Sequence, residues 1–188
     1  MSAPGERPSR GPRARLFAAL ALPDDTRLPL AAWAESLPSD PAVRLVAPES
    51  LHVTLVFLGG QDESDVAAIA DAVASAARVL PPLAVTGAAW LPSARRPGVL
   101  VADLSAPDEL LALHRDLVAA LRPWHEPEAR PLRPHVTVAR VRRGAQPALT
   151  DVPAPPELVI APAGLVLYRS RLGRAGARYE AVARAELR

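Results

Sequence analysis

Two histidines and two threonines in this sequence share one short pattern: histidine, an apolar residue, threonine and a second apolar residue. The pattern occupies residues 52–55 and residues 135–138. A histidine side chain titrates near neutral pH, so a pair of histidines can supply both a proton acceptor and a proton donor for one reaction. A threonine hydroxyl can donate a hydrogen bond to an oxygen atom on which negative charge builds. The repeated pattern therefore indicates acid–base chemistry on a small anion.

Both patterns lie in segments that are typical of β-strands. Residues 51–58 are rich in apolar and β-branched side chains and run into a pair of glycines. Because side chains alternate between the faces of a strand, His52 and Thr54 are predicted to point the same way, roughly 7 Å apart. Residues 133–140 repeat this arrangement. Each strand would therefore present one histidine and one threonine on a single face.

The elements that must position these strands follow from hydrophobic periodicity and from the turn residues. Asp62 followed by Asp65 resembles a capping box and predicts a helix start there. In chain order we predict strand 15–22, helix 24–36, strand 43–46, strand 51–59, helix 62–79, strands 83–90 and 99–104, helix 107–121, strands 132–142 and 157–160, and a hairpin of 164–170 with 178–182.

Each half of this series carries one histidine strand and at least one helix, and the two histidines are 83 residues apart. This organisation predicts an internal duplication. We expect an α+β fold of two lobes related by a pseudo-twofold axis, with two antiparallel sheets around a central cleft and helices packed outside. Residues 13–188 would form one two-lobed domain, preceded by a disordered tail over residues 1–12.

Composition restricts the classes of function. The 188 residues include 49% hydrophobic and 22% charged residues, which is typical of a globular protein. Because the chain has no cysteine, disulfides, thiolate catalysis and cysteine-ligated metals are excluded. No apolar run reaches transmembrane length, and the apolar segment 16–22 is too short for a signal peptide. We therefore expect a cytoplasmic protein without a membrane partner, and a monomer, because no long amphipathic seam is present.

The net charge is only +2 at pH 7, although the sequence pI is about 9.9. All the residues counted as Lys or Arg are arginine, so almost nothing titrates between neutrality and the tyrosine range. A modest excess of arginine permits a phosphate-bearing partner without requiring one.

The paired motifs and their surroundings resemble the 2H phosphoesterase superfamily, and more closely the bacterial and archaeal RNA 2′,3′-cyclic phosphodiesterases, also described as 2′-5′ RNA ligases. The resemblance extends over most of the chain. It is carried by RLFAALALP at residues 15–23, VRLVAPESLHVTLVFLG at 43–59, RPHVTVAR at 133–140 and the closing segment 168–180. Departures are mild: Leu45 stands where tryptophan is common, and Val138 replaces a frequent leucine.

The resemblance implies a LigT-like fold and metal-independent hydrolysis of RNA 2′,3′-cyclic phosphate ends to 2′-phosphomonoesters, with no cofactor. It implies that His52 donates a proton to the departing 3′ oxygen and that His135 is the base that activates water. Thr54 and Thr137 would bind non-bridging phosphate oxygens, and Arg140 would add a permanent positive charge. The substrate would be RNA with a cyclic phosphate end or a small nucleoside cyclic phosphate. From the residues alone the direction of proton transfer stays open, because the two motifs are nearly symmetric.

Regular strand alternation places Arg140 on the face opposite to His135 and Thr137. Arg140 can therefore reach the phosphate only if a β-bulge or the end of the strand interrupts the alternation.

Three other functions stay open at this point. The first is a metal site formed by His52, His135 and His125 with a carboxylate, although neither motif contains Asp or Glu. The second is a non-catalytic RNA-binding module. The third is a different 2H activity, such as 2′-5′ RNA ligation or cleavage, or opening of ADP-ribose 1″,2″-cyclic phosphate.

Four further residues could contact a ligand or could be structural. Arg95 and Arg96 would form either an electropositive rim or a solvated hairpin loop, and we favour the loop. His114 is interpreted as a satisfied histidine at the edge of a helix stripe. Trp124 would either stack on a base or pack under a proline-rich loop.

Overall fold

The computed structural model describes residues 12–128, 130–148, 151–173 and 176–187. The predicted disordered tail falls almost entirely on residues 1–11, which lie outside this range. The elements are β1 (Arg13–Ala21), α1 (Asp24–Ser36), β2 (Val43–Leu45), β3 (His52–Asp62), α2 (Val66–Ser75), β4 (Leu83–Ser93), β5 (Arg96–Leu104), α3 (Asp108–Ala120), β6 (His135–Val141), β7 (Val159–Ile160), β8 (Gly164–Gly173) and β9 (Gly176–Ala185).

The nine strands found in the described residues form one antiparallel array in the order β7-β4-β5-β6-β3-β1-β8-β9, with β2 added to β6. Its centre lies between β3 and β6, the two histidine strands. From there the array reads outward as β3-β1-β8-β9 on one side and as β6-β5-β4-β7 on the other. The predicted α+β class is confirmed, and the two predicted sheets are the two halves of this array.

The helices connect the two halves. Helix α1 follows β1 in the first half and packs against β6 of the second half, whereas α3 follows β5 and packs against β3. Each histidine strand is therefore supported by the helix of the opposite half. Helix α2 packs against β8 and β9 and has no counterpart among the helices of the described residues. Within those residues, no helix has the length and apolar character needed to cross a membrane.

Helix α3 shows why the sequence pattern gives this packing. Leu110, Leu113 and Leu117 recur at the spacing of one helix face and are fully buried. Leu111, on the adjacent face, is 38% exposed. The apolar stripe thus holds α3 on the array, while the remaining face meets solvent.

The helix predicted over residues 62–79 is shorter than expected. Strand β3 continues to Asp62 because it pairs with β1 as far as Arg13, and a 3-10 turn over Glu63–Asp65 separates it from α2. The side chain of Asp62 makes no capping hydrogen bond and instead lies 3.6 Å from the Arg13 guanidinium. The capping-box prediction was wrong, because Asp62, the expected helix cap, is the last residue of β3 and pairs with Arg13 of β1.

We expect Leu113→Ala to lower the free energy of unfolding by about 2–5 kcal/mol, because it leaves a cavity between α3 and the array. The matched control is Leu111→Ala on the same helix, which removes a largely solvated side chain and should cost less than about 1 kcal/mol. Urea unfolding followed by circular dichroism measures both. Equal losses in the two variants would contradict the packing described for α3.

Candidate active site

Strands β3 and β6 bring the two motifs side by side through the pair formed by Val53 and Val136. The antiparallel register through this pair sets His52 beside Thr137 and Thr54 beside His135. Residues opposite each other on such strands have Cβ atoms about 4.5–5.5 Å apart. Val53 and Val136 are fully buried, so the alternating histidines and threonines face the other way. One local pseudo-twofold axis thus relates the two histidine–threonine pairs.

Both imidazoles are held by the same kind of contact. His52 Nδ1 lies 2.7 Å from the carbonyl oxygen of Ser50, and His135 Nδ1 lies 2.7 Å from that of Arg133. A carbonyl oxygen can only accept a hydrogen bond, so in both rings Nδ1 is the donor. In the neutral form, Nε2 then carries the lone pair and is available for proton transfer.

The carbonyl that holds His135 belongs to a residue that is itself anchored. The Arg133 guanidinium donates two hydrogen bonds to Asp103, at 2.9 and 2.8 Å, and Asp103 pairs with His135 between β5 and β6. This bidentate ion pair raises the pKa of Arg133. Sequence reasoning missed Asp103, because nothing in the segment 99–104 marks its carboxylate as a partner of the second motif.

The two histidines differ in their surroundings. The ring centroid of His52 lies 4.9 Å from that of Phe17, 5.1 Å from that of Tyr179 and 6.0 Å from that of Tyr168. His135 lies in a more open position. A symmetric pair of strands therefore carries one imidazole enclosed by aromatic rings and one whose backbone hydrogen bond is more exposed.

This enclosure changes the acid–base properties of His52. Burial lowers the pKa of His52 to about 4, and the positive charges of Arg140 and His135 act in the same direction. The hydrogen bond to Ser50 opposes the shift only in part. His52 is therefore neutral at pH 7 when the cleft holds no anion.

Arg140 reaches the cleft because β6 contains a β-bulge, the interruption of alternation that the sequence analysis required for this residue. Leu100 pairs with Ala139 but Val101 pairs with Thr137, so Val138 is an additional residue in β6. Val138 and Ala139 are both buried, and Arg140 returns to the face that carries Thr137. Arg140 lines the same cleft as His52 and Thr54.

Strand β3 contains a matching irregularity. Ala18 pairs with Val56 but Ala19 pairs with Thr54, so Leu55 is additional there. Phe57 consequently turns towards the cleft, five residues after His52, as Arg140 does five residues after His135. Sequence reasoning missed Phe57, although the equal spacing was a signal that could have identified it.

The cleft at this face has a volume of about 350 Å³. Among the described residues its lining includes three arginines and no carboxylate, so it favours an anion. His135 and Thr137 are not part of this lining and lie beside it across the β3–β6 pair. The lining residues are Arg15, Phe17, Arg44, His52, Thr54, Phe57, Arg140, Ser170, Gly173, Ala177 and Tyr179.

The other sequence candidates lie outside the cleft lining. His114 forms a hydrogen bond with the backbone of Leu55, which attaches α3 to β3, and burial lowers the pKa of His114. Trp124 packs against the hydrophobic core, and its carbonyl accepts a hydrogen bond of 3.1 Å from Gln61. His125 does not contribute to the cleft lining.

Arg95 is exposed in the turn of the β4–β5 hairpin, and Arg96 is exposed where β5 begins. Neither lines the cleft, which agrees with the solvated hairpin loop that we favoured. In the described parts of the chain, no group of three or more metal-ligating side chains is placed to hold a metal ion.

Comparison with known proteins finds relatives in one group of phosphoesterases. A protein-family model described as LigT like Phosphoesterase matches residues 20–101. An RNA 2′,3′-cyclic phosphodiesterase from Geobacillus stearothermophilus is 30% identical over an alignment of 145 residues, which covers 73% of this chain and 46% of that protein. One from Archaeoglobus fulgidus is 27% identical over 138 residues, covering 73% and 78% of the two chains. The chain therefore spans about half the length of the Geobacillus relative.

Solved structures share the fold over nearly the whole chain. The Thermus thermophilus protein TT0787 has a TM-score of 0.77 at 27% identity, covering 93% of this chain and 98% of that one. E. coli LigT complexed with 3′-AMP has a TM-score of 0.73 at 26% identity, covering 94% and 99%. The matched family model, the two sequence relatives and the shared fold agree: the chain is similar to the LigT-like phosphoesterases in sequence and in fold.

Proposed function

We propose that this protein hydrolyses the 2′,3′-cyclic phosphate end of RNA to a 2′-phosphomonoester by acid–base catalysis with His52 and His135. The observation that carries the proposal is the pairing of two His-Thr motifs across β3 and β6, with both Nδ1 atoms bonded to backbone carbonyls. The sequence relatives are named for this activity, and the E. coli LigT structure contains 3′-AMP, a nucleotide.

The reaction requires two proton transfers in one displacement. A water molecule attacks phosphorus and loses a proton, while the ribose 3′ oxygen leaves on the opposite side and gains one. Because Nδ1 of each ring is committed to the backbone, each Nε2 is available to one of these oxygens. Two imidazoles on either side of one phosphate can therefore complete the displacement without a metal ion.

The difference in burial supports the assignment of roles. His135 is the base, since its open position gives water access to Nε2. His52 is the acid, since its aromatic enclosure suits the ribose side of the phosphate. The bound phosphate supplies a negative charge beside His52 and favours its protonated form, so the substrate brings His52 into the state that donates.

The remaining side chains stabilise charge on the phosphate. Thr54 and Thr137 each donate a hydroxyl hydrogen bond to a non-bridging oxygen, where negative charge increases as water adds. Arg140 lies on the same face, because of the bulge in β6, and contributes a charge that does not depend on pH.

No described feature favours ligation, another cyclic phosphate substrate or binding without turnover over this reaction. Monomeric state and cytoplasmic location stay predictions from the sequence.

The first test measures hydrolysis of a nucleoside 2′,3′-cyclic phosphate and of an RNA oligomer with that end, in the presence of excess EDTA. We expect turnover to persist with the chelator and the product to be the 2′-phosphate, separated from the 3′-phosphate by chromatography. Loss of turnover with EDTA, and its recovery on adding a divalent cation, would contradict the metal-independent mechanism.

A substrate with a different leaving group distinguishes the acid from the base among the two histidines. The His52→Ala variant should hydrolyse the normal cyclic phosphate at least about a hundredfold more slowly than wild type. It should hydrolyse an analogue with sulfur at the 3′ position nearly as fast as wild type, because a thiolate leaves without a proton. His135→Ala should be slow on both substrates. The reverse pattern would exchange the two roles, and near wild-type turnover by either variant would end the two-histidine mechanism.

The acid–base state of His52 is measured by NMR titration of its imidazole C–H signals. In the unliganded protein we expect a pKa of about 4, raised when a nucleoside 2′-phosphate is bound. Between about pH 6.5 and about pH 4 the unfolded chain then binds more protons at His52 than the folded protein does, so stability decreases as the pH falls through this window. A pKa near 6.5 without ligand would contradict the effect of the aromatic enclosure.

A further inference from the structure

We propose that Arg15 binds the internucleotide phosphate that precedes the terminal cyclic phosphate, so that the cleft selects the end of an RNA chain over a mononucleotide. This inference rests on the proposed function. It names a residue that the catalytic mechanism does not use and the substrate class for which that residue is needed.

The position of Arg15 follows from the alternation of β1. Ala14 and Leu16 are buried, whereas Arg15 is exposed and lines the cleft together with Phe17. The Phe17 ring contacts His52, at 4.9 Å between centroids. Arg15 precedes Phe17 by two residues on the same face of β1, so the two side chains start about 7 Å apart. Its side chain therefore lies along the same cleft as His52 but is displaced from it.

The Arg15 side chain already contacts an aromatic ring of the cleft before a ligand binds. The guanidinium carbon of Arg15 lies 4.8 Å from the centroid of the Phe57 ring, over its face. Phe57 is 40% exposed and is turned into the cleft by the bulge in β3. Stacking on the ring uses the flat face of the guanidinium and leaves its N–H edge available. A ligand oxygen can therefore be bound with little additional loss of side-chain freedom.

The charge of Arg15 is not neutralised by the described part of the chain, in which no carboxylate lies within 4 Å of its guanidinium. Its neighbours differ in this respect: Arg13 lies 3.6 Å from Asp62, and Arg169 is paired with Glu63. The cleft lining, as far as the described residues form it, contains no Asp or Glu. Arg15 thus keeps its positive charge for a ligand.

A second phosphate is the ligand that fits this arrangement. A guanidinium edge matches two phosphate oxygens, and grooves that bind single strands carry such charges along the backbone path. The reacting phosphate already has Thr54, Thr137 and Arg140 as partners in the proposed mechanism. A nucleoside 2′,3′-cyclic phosphate has no other phosphate, whereas an RNA chain places one at the next linkage. Arg15 therefore contributes to binding only when the substrate is an RNA chain.

The test compares wild type, Arg15→Gln and Arg15→Lys on a nucleoside 2′,3′-cyclic phosphate and on a short RNA with the same terminal nucleotide. Arg15→Gln should lower kcat/KM for the RNA about tenfold and leave the value for the nucleoside substrate unchanged. It should also reduce the salt dependence of RNA binding by about one charge, whereas Arg15→Lys retains that dependence. Arg95→Gln, which removes an exposed arginine outside the cleft, is the matched control and should behave as wild type.

A modified RNA identifies the phosphate that Arg15 contacts. Replacing the linkage before the terminal nucleotide by a neutral methylphosphonate should weaken wild type about as much as Arg15→Gln does, and should cause little additional loss in Arg15→Gln. Losses that simply add would show that Arg15 does not contact this phosphate. An equal loss by Arg15→Gln on the nucleoside and RNA substrates, or no loss on RNA, would also overturn the proposal.

A measurement of RNA binding distinguishes failure of the Arg15 phosphate site from failure of the proposed function. Fluorescence anisotropy with a labelled RNA that ends in a 2′-phosphate does not depend on turnover. If wild type hydrolyses neither substrate, the proposed function fails, and weaker RNA binding by Arg15→Gln than by wild type would still support the phosphate site. Equal binding by the two proteins, or no binding by wild type, would overturn it.

Discussion

The contact between β3 and β6 at Val53 and Val136 is the interaction on which the site depends. It is the bridge that joins the two halves of the array, and both side chains are completely buried. Because side chains alternate in strands, burying these two valines turns the flanking histidines and threonines to the opposite face. The helices α1 and α3, each packed on the histidine strand of the other half, hold this pair from beneath. Core packing and site geometry are therefore set by the same four elements.

Two bulges convert this regular pairing into a cleft. In a regular strand, a residue five positions after the histidine would point away from it. The additional residues Leu55 and Val138 reverse the alternation, and they bring Phe57 and Arg140 to the face of the site. The pseudo-twofold axis thus relates an aromatic side chain to a cation. The same backbone irregularity thus brings side chains of different chemistry to the site in the two halves.

The symmetry of the backbone does not extend to the environments of the two imidazoles. Phe17, Tyr168 and Tyr179 come from β1 and from the β8–β9 hairpin, and they enclose His52. His135 is instead oriented through Arg133, which is bound to Asp103. Desolvation lowers the pKa of the enclosed ring of His52, so the two motifs differ in their surroundings although their residues are the same. The proposed assignment of acid to His52 and base to His135 rests on this difference.

The sequence by itself determined the two His-Thr motifs, the strands that carry them and the duplicated α+β fold, because these features depend on local residue spacing and on side-chain alternation. It also showed that Arg140 needed a break in that alternation. Only the tertiary structure decided where the bulges lie, since a bulge depends on the register with the neighbouring strands β1 and β5. Burial of His52, the anchoring of His135 through Asp103 and the stacking of Arg15 on Phe57 likewise join residues that are distant in the chain. Long-range packing, which local patterns do not encode, therefore decided the chemistry of the cleft.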